Sequence, residues 1–309
     1  MDIIKDNIKL EELIKVDEKE IKYKDEIIIY NDDGEINKNV KIMIGIYKNK
    51  NVIIKQSLLP EYNLINEAYI LQTLKNNNIV YYYGCIIENK NVFKIVIEFL
   101  EYDNLRNLLK KKKKENCIKD SWVIWVNEIM LKICKTIKYI HEEGFYHNDI
   151  KTDNIMIDKY NNIKIIDFAS GGCKKINSEY ICHQQGTYDS PEMDFDIYMN
   201  LYDKYVTKDK IKSHDDFFPP FFNKNDIFAL GFVFWELFNF PKAPFEDKYK
   251  LDDEYRFDNI YKDIKNNKYD DIQDYIPKKF KTIINRCWEY DMFKRITIDE
   301  IIEILKNEK

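Results

Sequence analysis

The sequence predicts an α+β fold in two lobes, a small antiparallel β lobe with one helix followed by a larger, mainly helical lobe. Three observations carry this. From Glu26 to about residue 98 the apolar residues fall in short β-branched runs broken by polar turns. Beyond about residue 99 the apolar spacing lengthens to that of helices. A length of 309 residues with 45% hydrophobic and 33% charged side chains fits one large domain or two lobes, and excludes a disordered chain.

The elements follow in order. Residues 1–25 read as a polar, amphipathic extension, either a regulatory helix or a segment packed on the small lobe. The small lobe is drawn at 26–98. The runs at 27–30, 40–47 and 51–55, separated by NDDG (31–34) and KNKN (48–51), predict antiparallel hairpins. Pro60 suits a first helical turn, and Leu64, Ala68, Leu71 and Leu74 keep helical spacing until Asn76–Asn78 stop it. Strand-like runs follow at 79–87 and 92–100. The large lobe, 99–309, opens with a helix capped by Ser121, whose apolar face is Trp122, Val126, Ile129, Ile133, Ile137 and Ile140. Gly144 is its natural stop. A hairpin pairs 155–158 with 163–166. Asp226 is expected to cap an apolar helix to Phe238, and Thr297 with Glu300 forms a capping box.

Composition narrows the function classes. The chain has 8 glycines where average usage would give about 22. Neither G-x-G-x-x-G nor G-x-x-x-x-G-K-[ST] can be written from them, so a Rossmann fingerprint and a Walker A loop are absent. A net charge of -5 argues against nucleic acid as a partner. No apolar run approaches membrane-helix length, and the N-terminus has no signal-peptide pattern. Six scattered cysteines without C-x-x-C read as reduced thiols, and the expected location is cytoplasmic. Nothing signals oligomerisation, so a monomer is expected.

The chemistry concentrates in Tyr146–Phe168, which sets Asp149, Lys151, Asn154 and Asp167 around one hairpin. Asn154 precedes the first strand and Asp167 ends the second, so antiparallel pairing brings them together. An amide oxygen beside a carboxylate suits Mg²⁺, a hard cation. Asp149 lies on the preceding turn and suits proton acceptance from an attacking hydroxyl.

These residues resemble the protein-kinase catalytic loop H-R-D-x-x-x-x-N followed by D-F-G, written here as His147-Asn148-Asp149 with Asn154 and Asp167-Phe168-Ala169. The resemblance runs along the chain in family order. Val52-Ile53-Ile54-Lys55 is similar to the V-A-I-K strand, and Glu67 to the glutamate that pairs with its lysine. Residues 78–84 resemble the family's next strand, and 96–105 the hinge that reads adenine, with Ile97 as gatekeeper. Ser190-Pro191-Glu192 resembles A-P-E. Residues 225–238, led by Asp226, resemble the buried helix that anchors the catalytic loop, and 286–301 the closing segment, where Arg295 would pair with Glu192. Eight motifs in order make accidental resemblance untenable.

The resemblance implies a serine/threonine protein kinase that uses ATP and Mg²⁺ on protein substrates. Lys55, oriented by Glu67, would hold ATP phosphates. Asn154 and Asp167 would hold Mg²⁺, Asp149 would take the hydroxyl proton, and Lys151 would neutralise the transferring group. Ile42, Ile53, Ile97, Glu98, Leu100 and Met156 would line the nucleotide site. Asp149 and Lys151 are thus the expected catalytic residues. His147 and Phe168 are expected to pack.

Two departures from the family pattern, the glycine-poor loop and Ile53, motivate an alternative, a pseudokinase acting as a binding or scaffolding module with weak or no phosphotransfer. With Ile42 aligned to the valine that ends the glycine loop, the loop runs from Gly34 to Ile42 with one glycine, and Val40 stands at the last glycine position. Ile53 replaces a small alanine, Asn148 an arginine, and Ala169 a glycine. The arginine's loss implies activity not switched by activation-segment phosphorylation. An insertion at about 194–225 contains FFPPFF (217–222) beside His214-Asp215-Asp216, read as a loop folded on the large lobe or a docking site for a protein partner at 214–222. Lys110–Lys114 reads as a solvated loop before an acidic-partner site. Cys173 with Cys182-His183 is a weak match to a metal site.

Overall fold

The computed structural model describes residues 8–28, 38–59, 64–112, 119–173, 187–194, 197, 199–200, 203–204, 214–249 and 256–307, with backbone alone over 214–221 and at 257. The small lobe is one antiparallel sheet of β1 (Lys22–Ile27), β2 (Val40–Tyr47), β3 (Lys50–Ser57), β4 (Tyr82–Glu88) and β5 (Asn91–Glu98), in the order β1-β2-β3-β5-β4. The β2–β3 turn is only Lys48-Asn49, at φ 48° and 62°, and Asn89-Lys90 joins β4 to β5 at 49° and 63°. Positive φ at both central residues matches the twist of a two-residue hairpin.

β1 begins at Lys22, so the boundary drawn at residue 25 falls inside a strand; it runs to Ile27, and residues 29–30 of the 27–30 run lie outside the described residues. The strand is exposed along its whole length and therefore carries no alternation to read. Its register is Ile27 against Ile42, so the β1–β2 connection runs from residue 28 to 39. Most of it, including Gly34, lies outside the described residues, as does Pro60.

Helix α1 (Ile65–Thr73) lies against β4 and β5 and buries Ile65, Ala68, Ile70 and Leu71. The segment before β1 packs on this lobe. Apart from short 3-10 turns at Leu10–Glu12 and Glu18–Glu20 it is not helical over 8–21. Ile8 and Leu13 join the main core, while Val16 and Ile21 join a second cluster with Val52, Ile54 and Val96 of the sheet.

The large lobe contains β6 (Asp103–Asn104), α2 (Leu105–Lys110), α3 (Asp120–Glu142), β7 (Phe145–Tyr146), β8 (Ile155–Ile157), β9 (Ile163–Ile165) and β10 (Gly172–Cys173). Then come α4 (His214–Asn239), α5 (Arg256–Lys265), α6 (Lys278–Cys287) and α7 (Ile298–Lys306). The six-residue apolar face expected of α3 is buried in full, but the helix starts at Asp120 with Lys119 as N-cap, ahead of Ser121. The Thr297–Glu300 capping box is present on α7. Cys85, Cys134, Cys173 and Cys287 are buried thiols outside any disulfide. Among the described residues no group of three metal-ligating side chains forms, and Cys182 and His183 lie outside them.

α4 corrects two expectations. It starts at His214, so the backbone of 214–222 is helical and not a folded-back loop. Asp226 therefore sits within the helix and is not its cap, because its carboxylate is taken by the catalytic loop instead. From Phe222 onward α4 is the spine of the lobe. Phe228, Leu230, Phe232, Val233, Phe234, Leu237 and Phe238 are fully buried, each contributing about 1.5–3 kcal/mol by leaving water. Gly231 lets Trp288 approach this close-packed helix, since a Cβ there would lie 2.6 Å from the indole Nε1.

Candidate active site

A cavity of about 420 Å³ opens between the lobes. Its wall includes all eight residues expected around the nucleotide: Ile42, Ile53, Lys55, Glu67, Ile97, Glu98, Leu100 and Met156. Ile53 sits opposite Ile97 in the β3–β5 register, so its extra bulk faces the gatekeeper position. The Glu98 carboxylate is engaged elsewhere: it accepts from the Tyr81 N–H at 2.6 Å and pairs with Lys164. Sequence reasoning missed Ile27, Val80, Phe99 and Ile166 in this wall, which also includes Val40, read as the last glycine position of the phosphate loop. Val80 and Phe99 lie inside quoted motifs and were open to discovery. Ile27 needed the β1 register.

The charged end of the cavity is one cation between two carboxylates. Lys55 Nζ lies 2.7 Å from Glu67 Oε2 and 2.7 Å from Asp167 Oδ1. β3 delivers Lys55, α1 delivers Glu67, and Asp167 follows β9 in the other lobe. Burial pushes the Glu67 carboxyl up, and Lys55 only partly offsets it. Burial would raise Asp167 as well, but Lys55 outweighs it, helped by Lys151, and holds that carboxyl down at about 2. Asp167 also stands at φ 63°, a conformation that aspartate tolerates better than most residues.

The catalytic loop hangs from α4. Asp226 accepts from His147 N–H at 3.0 Å and Asn148 N–H at 2.8 Å, and from His141 Nε2 at 2.9 Å. Asn148 is at φ 59°, where asparagine is favoured, and its side-chain oxygen faces Asn225 Nδ2 at 3.4 Å. His147 packs as expected, with its ring 4.6 Å from Phe168. It does more than pack: Nε2 donates to the Ile166 carbonyl at 3.0 Å, which leaves Nδ1 to accept the Asp149 N–H at 3.2 Å.

Asn154 Nδ2 donates to both the carbonyl and Oδ2 of Asp149, each at 2.8 Å, while Lys151 Nζ lies 3.0 Å from Asp149 Oδ1. The β8–β9 hairpin pairs Ile155 with Ile165, and Ile166 N–H donates to the Asn154 carbonyl. Asn154 and Asp167 are thereby brought to the same end of the hairpin. With both its N–H bonds committed to Asp149, Asn154 presents its amide oxygen. That oxygen and the Asp167 carboxylate are a donor set fit for Mg²⁺.

Beside Asp149 a second cavity of about 590 Å³ runs over the large lobe, lined by Lys151, Asp153, Thr187, Arg106 and Glu246 among others. Its floor is fixed by Glu236, which is fully buried. Arg106 Nη1 reaches it at 2.6 Å and Thr152 Oγ1 at 3.0 Å, and the Tyr188 hydroxyl donates to its other oxygen. Burial raises this carboxyl to about 7 against the pull of Arg106. Behind the groove, Arg295 and Glu192 form the expected pair as a two-bond fork at 2.5 and 2.9 Å, with neither side chain exposed.

This geometry agrees with the comparison to known sequences. The model of the family described as protein tyrosine and serine/threonine kinase matches residues 33–305. The chain belongs to that protein kinase family. A protein of Acanthamoeba polyphaga mimivirus, named as a candidate serine/threonine-protein kinase/receptor, is 29% identical over 272 residues, covering 84% of this chain and 14% of its own length. Mouse serine/threonine-protein kinase Nek9 is 33% identical over 185 residues, covering 58% of this chain and 16% of its own. Human receptor-interacting serine/threonine-protein kinase 1 is 27% identical over 267 residues, covering 85% of this chain and 36% of its own. The chain thus spans about a third or less of the length of these kinases, and tyrosine kinases also occur among its relatives. No helix among the described residues is long and apolar enough to cross a membrane.

Proposed function

We propose that this kinase domain transfers the γ-phosphoryl group of ATP to serine or threonine hydroxyls of protein substrates, with Mg²⁺ held by Asn154 and Asp167. The observation that carries the reading is the assembled Lys55–Glu67–Asp167 cluster beside an Asp149 that two neighbours hold in place. Every charged group the transfer requires is present, and the ones that must meet do so across the two lobes.

The roles follow from position. Lys55, fixed by Glu67, binds phosphate oxygens at the closed end of the cavity. Mg²⁺ held by Asn154 and Asp167 would supply charge neutralisation for the transfer. Asp149 orients the acceptor hydroxyl and takes its proton, with Asn154 and His147 holding its carboxylate and backbone. Lys151 sets a positive charge beside the transferring group. Lysine at this position supports a serine/threonine acceptor, because the family's serine/threonine kinases carry it. The Glu192–Arg295 fork and the 590 Å³ groove supply a platform for a protein substrate.

The second reading, a pseudokinase, draws on Ile53 in the cavity wall. One experiment separates the two. Mg²⁺-ATP is titrated by thermal shift, and phosphate transfer to casein is followed with phosphoamino-acid analysis. A stabilisation that grows as RT ln(1 + [L]/Kd), with phosphoserine or phosphothreonine in the product, supports the kinase. No shift at millimolar ATP and no transfer sinks it.

A further inference from the structure

The segment before β1 makes a contact that no catalytic motif predicts. The main chain of Ile14 bridges α1 to the sheet. Its N–H donates to Gln72 Oε1 of α1 at 2.5 Å, and its carbonyl accepts the Cys85 N–H of β4 at 2.8 Å. Gln72 Nε2 returns a second bond to the Glu12 carbonyl at 2.8 Å, and Val16 N–H donates to the Cys85 carbonyl at 2.9 Å. Gln72 thus meets the segment as a paired strand would, offering one donor and one acceptor from a single amide. β4 is the edge of the five-stranded sheet, so the segment also covers that edge.

The fit is built on both sides. Gly84 stands at φ +151°, and a Cβ there would lie 2.8 Å from Val16 Cγ2 and 2.9 Å from the Ile14 carbonyl oxygen. Ile8 and Leu13 bury with α1 in the main core. Further along, Glu18 pairs with Lys94, a lysine of β5 that is 8% exposed, and Tyr23 lies 3.3 Å from the same ammonium. Removing the segment would leave that buried cation without Glu18.

The consequence concerns Glu67. It sits on α1 five residues before Gln72, whereas Lys55 sits on the sheet, so their contact holds only while α1 keeps its distance from the sheet. We propose that Ile8–Ile21 clamps α1 to β4, and that Gln72 is a positioning residue for the Lys55–Glu67 pair. The proposal rests on the kinase reading for its catalytic effect, but not for its structural one.

The test uses the full chain with Gln72→Ala and Gly84→Ala, which loosen the clamp from opposite sides. Hydrogen exchange is measured over 64–74, alongside steady-state transfer from Mg²⁺-ATP to casein and the global unfolding midpoint. The expected result is faster exchange in α1 and a kcat about tenfold lower in both variants. The KM for casein stays near that of the unmodified chain; the unfolding midpoint stays near it in Gln72→Ala and falls in Gly84→Ala, whose added methyl group clashes with the segment at a strained φ, so the kcat loss is judged against that fall. Unchanged exchange over 65–73 in both variants overturns the clamp whether or not the chain transfers phosphate. Faster exchange with unchanged kcat overturns the positioning role. A kcat that falls only in proportion to the unfolding midpoint overturns it too, since a structural role alone would give that. If the unmodified chain transfers no phosphate, the kinase reading fails, and the exchange data still decide the clamp.

Discussion

Replacing Arg295 with methionine is expected to be among the most destabilising single changes in the large lobe. The guanidinium makes two bonds to Glu192, one to the Lys224 carbonyl at 2.9 Å and one to the Glu289 carbonyl at 3.0 Å, and it lies 5.0 Å above the Phe228 ring. Methionine fills part of the volume but leaves the Glu192 carboxylate with no exposure and without its guanidinium partner. Breaking a buried pair from one side costs about 3–5 kcal/mol, because the remaining charge keeps its desolvation penalty. The assay is urea unfolding at pH 7, read by tryptophan fluorescence and far-UV dichroism together. The double variant Glu192→Met/Arg295→Met removes the stranded charge and is expected to recover more than half of the loss. A single variant costing under 1 kcal/mol, or a double variant worse than the sum of its singles, would refute the reasoning.

Other outcomes follow from the same geometry. Asp149→Asn is expected to lower phosphate transfer by about 10²–10⁴-fold while the Mg²⁺-ATP thermal shift persists, since proton acceptance is lost and the nucleotide cavity is untouched. Gly231→Ala should destabilise by about 1–3 kcal/mol in unfolding experiments, although alanine is the better helix former, because its methyl group would enter the Trp288 ring. Burial, then the charge of Arg295, hold the Lys224 ammonium at about 8. Between that value and the ordinary lysine range the folded chain binds fewer protons than the unfolded one, so this group opposes folding below pH 8 and its penalty fades as pH rises. The stability of Lys224→Met relative to the parent should therefore fall between pH 7.5 and pH 10; a difference that does not change with pH contradicts the assignment. Ile53→Ala should admit N6-alkylated ATP analogues that the parent excludes, as read by thermal shift.

What could be read without coordinates was the part that chemistry holds to fixed spacing. Asp149, Asn154 and Asp167 sit on one hairpin, and a hairpin's register follows from its turn, so their meeting was legible. Lys55 and Glu67 were legible through their resemblance to the family's V-A-I-K lysine and the helix glutamate that pairs with it. The start of β1 was not, since an exposed strand alternates nothing. Residues 8–21 bury Ile8, Leu13, Val16 and Ile21 at spacings of five, three and five, which match neither a strand nor a helix. The di-proline at Pro219-Pro220 made the start of α4 read as a loop, and Asp226 as a cap. Both errors have one cause, which is that local propensity yields to a helix whose later turns are buried on every side.

The attachment of the catalytic loop to Asp226 divides the site into a fixed half and a travelling half. Asp149 takes its coordinates from a helix in the middle of the larger lobe, and so from the most deeply buried part of the molecule. Lys55 takes its coordinates from a sheet whose β1 edge is exposed, and it meets Asp167 only across the gap between lobes. Errors in alignment therefore enter from one side. A substitution on the small lobe that shifts Lys55 misplaces the donor against an acceptor site that has not moved, whereas one that disturbs α4 carries the acceptor site away as a unit. The two kinds of damage should be separable by kinetics: the first would act on nucleotide handling, the second on every substrate alike.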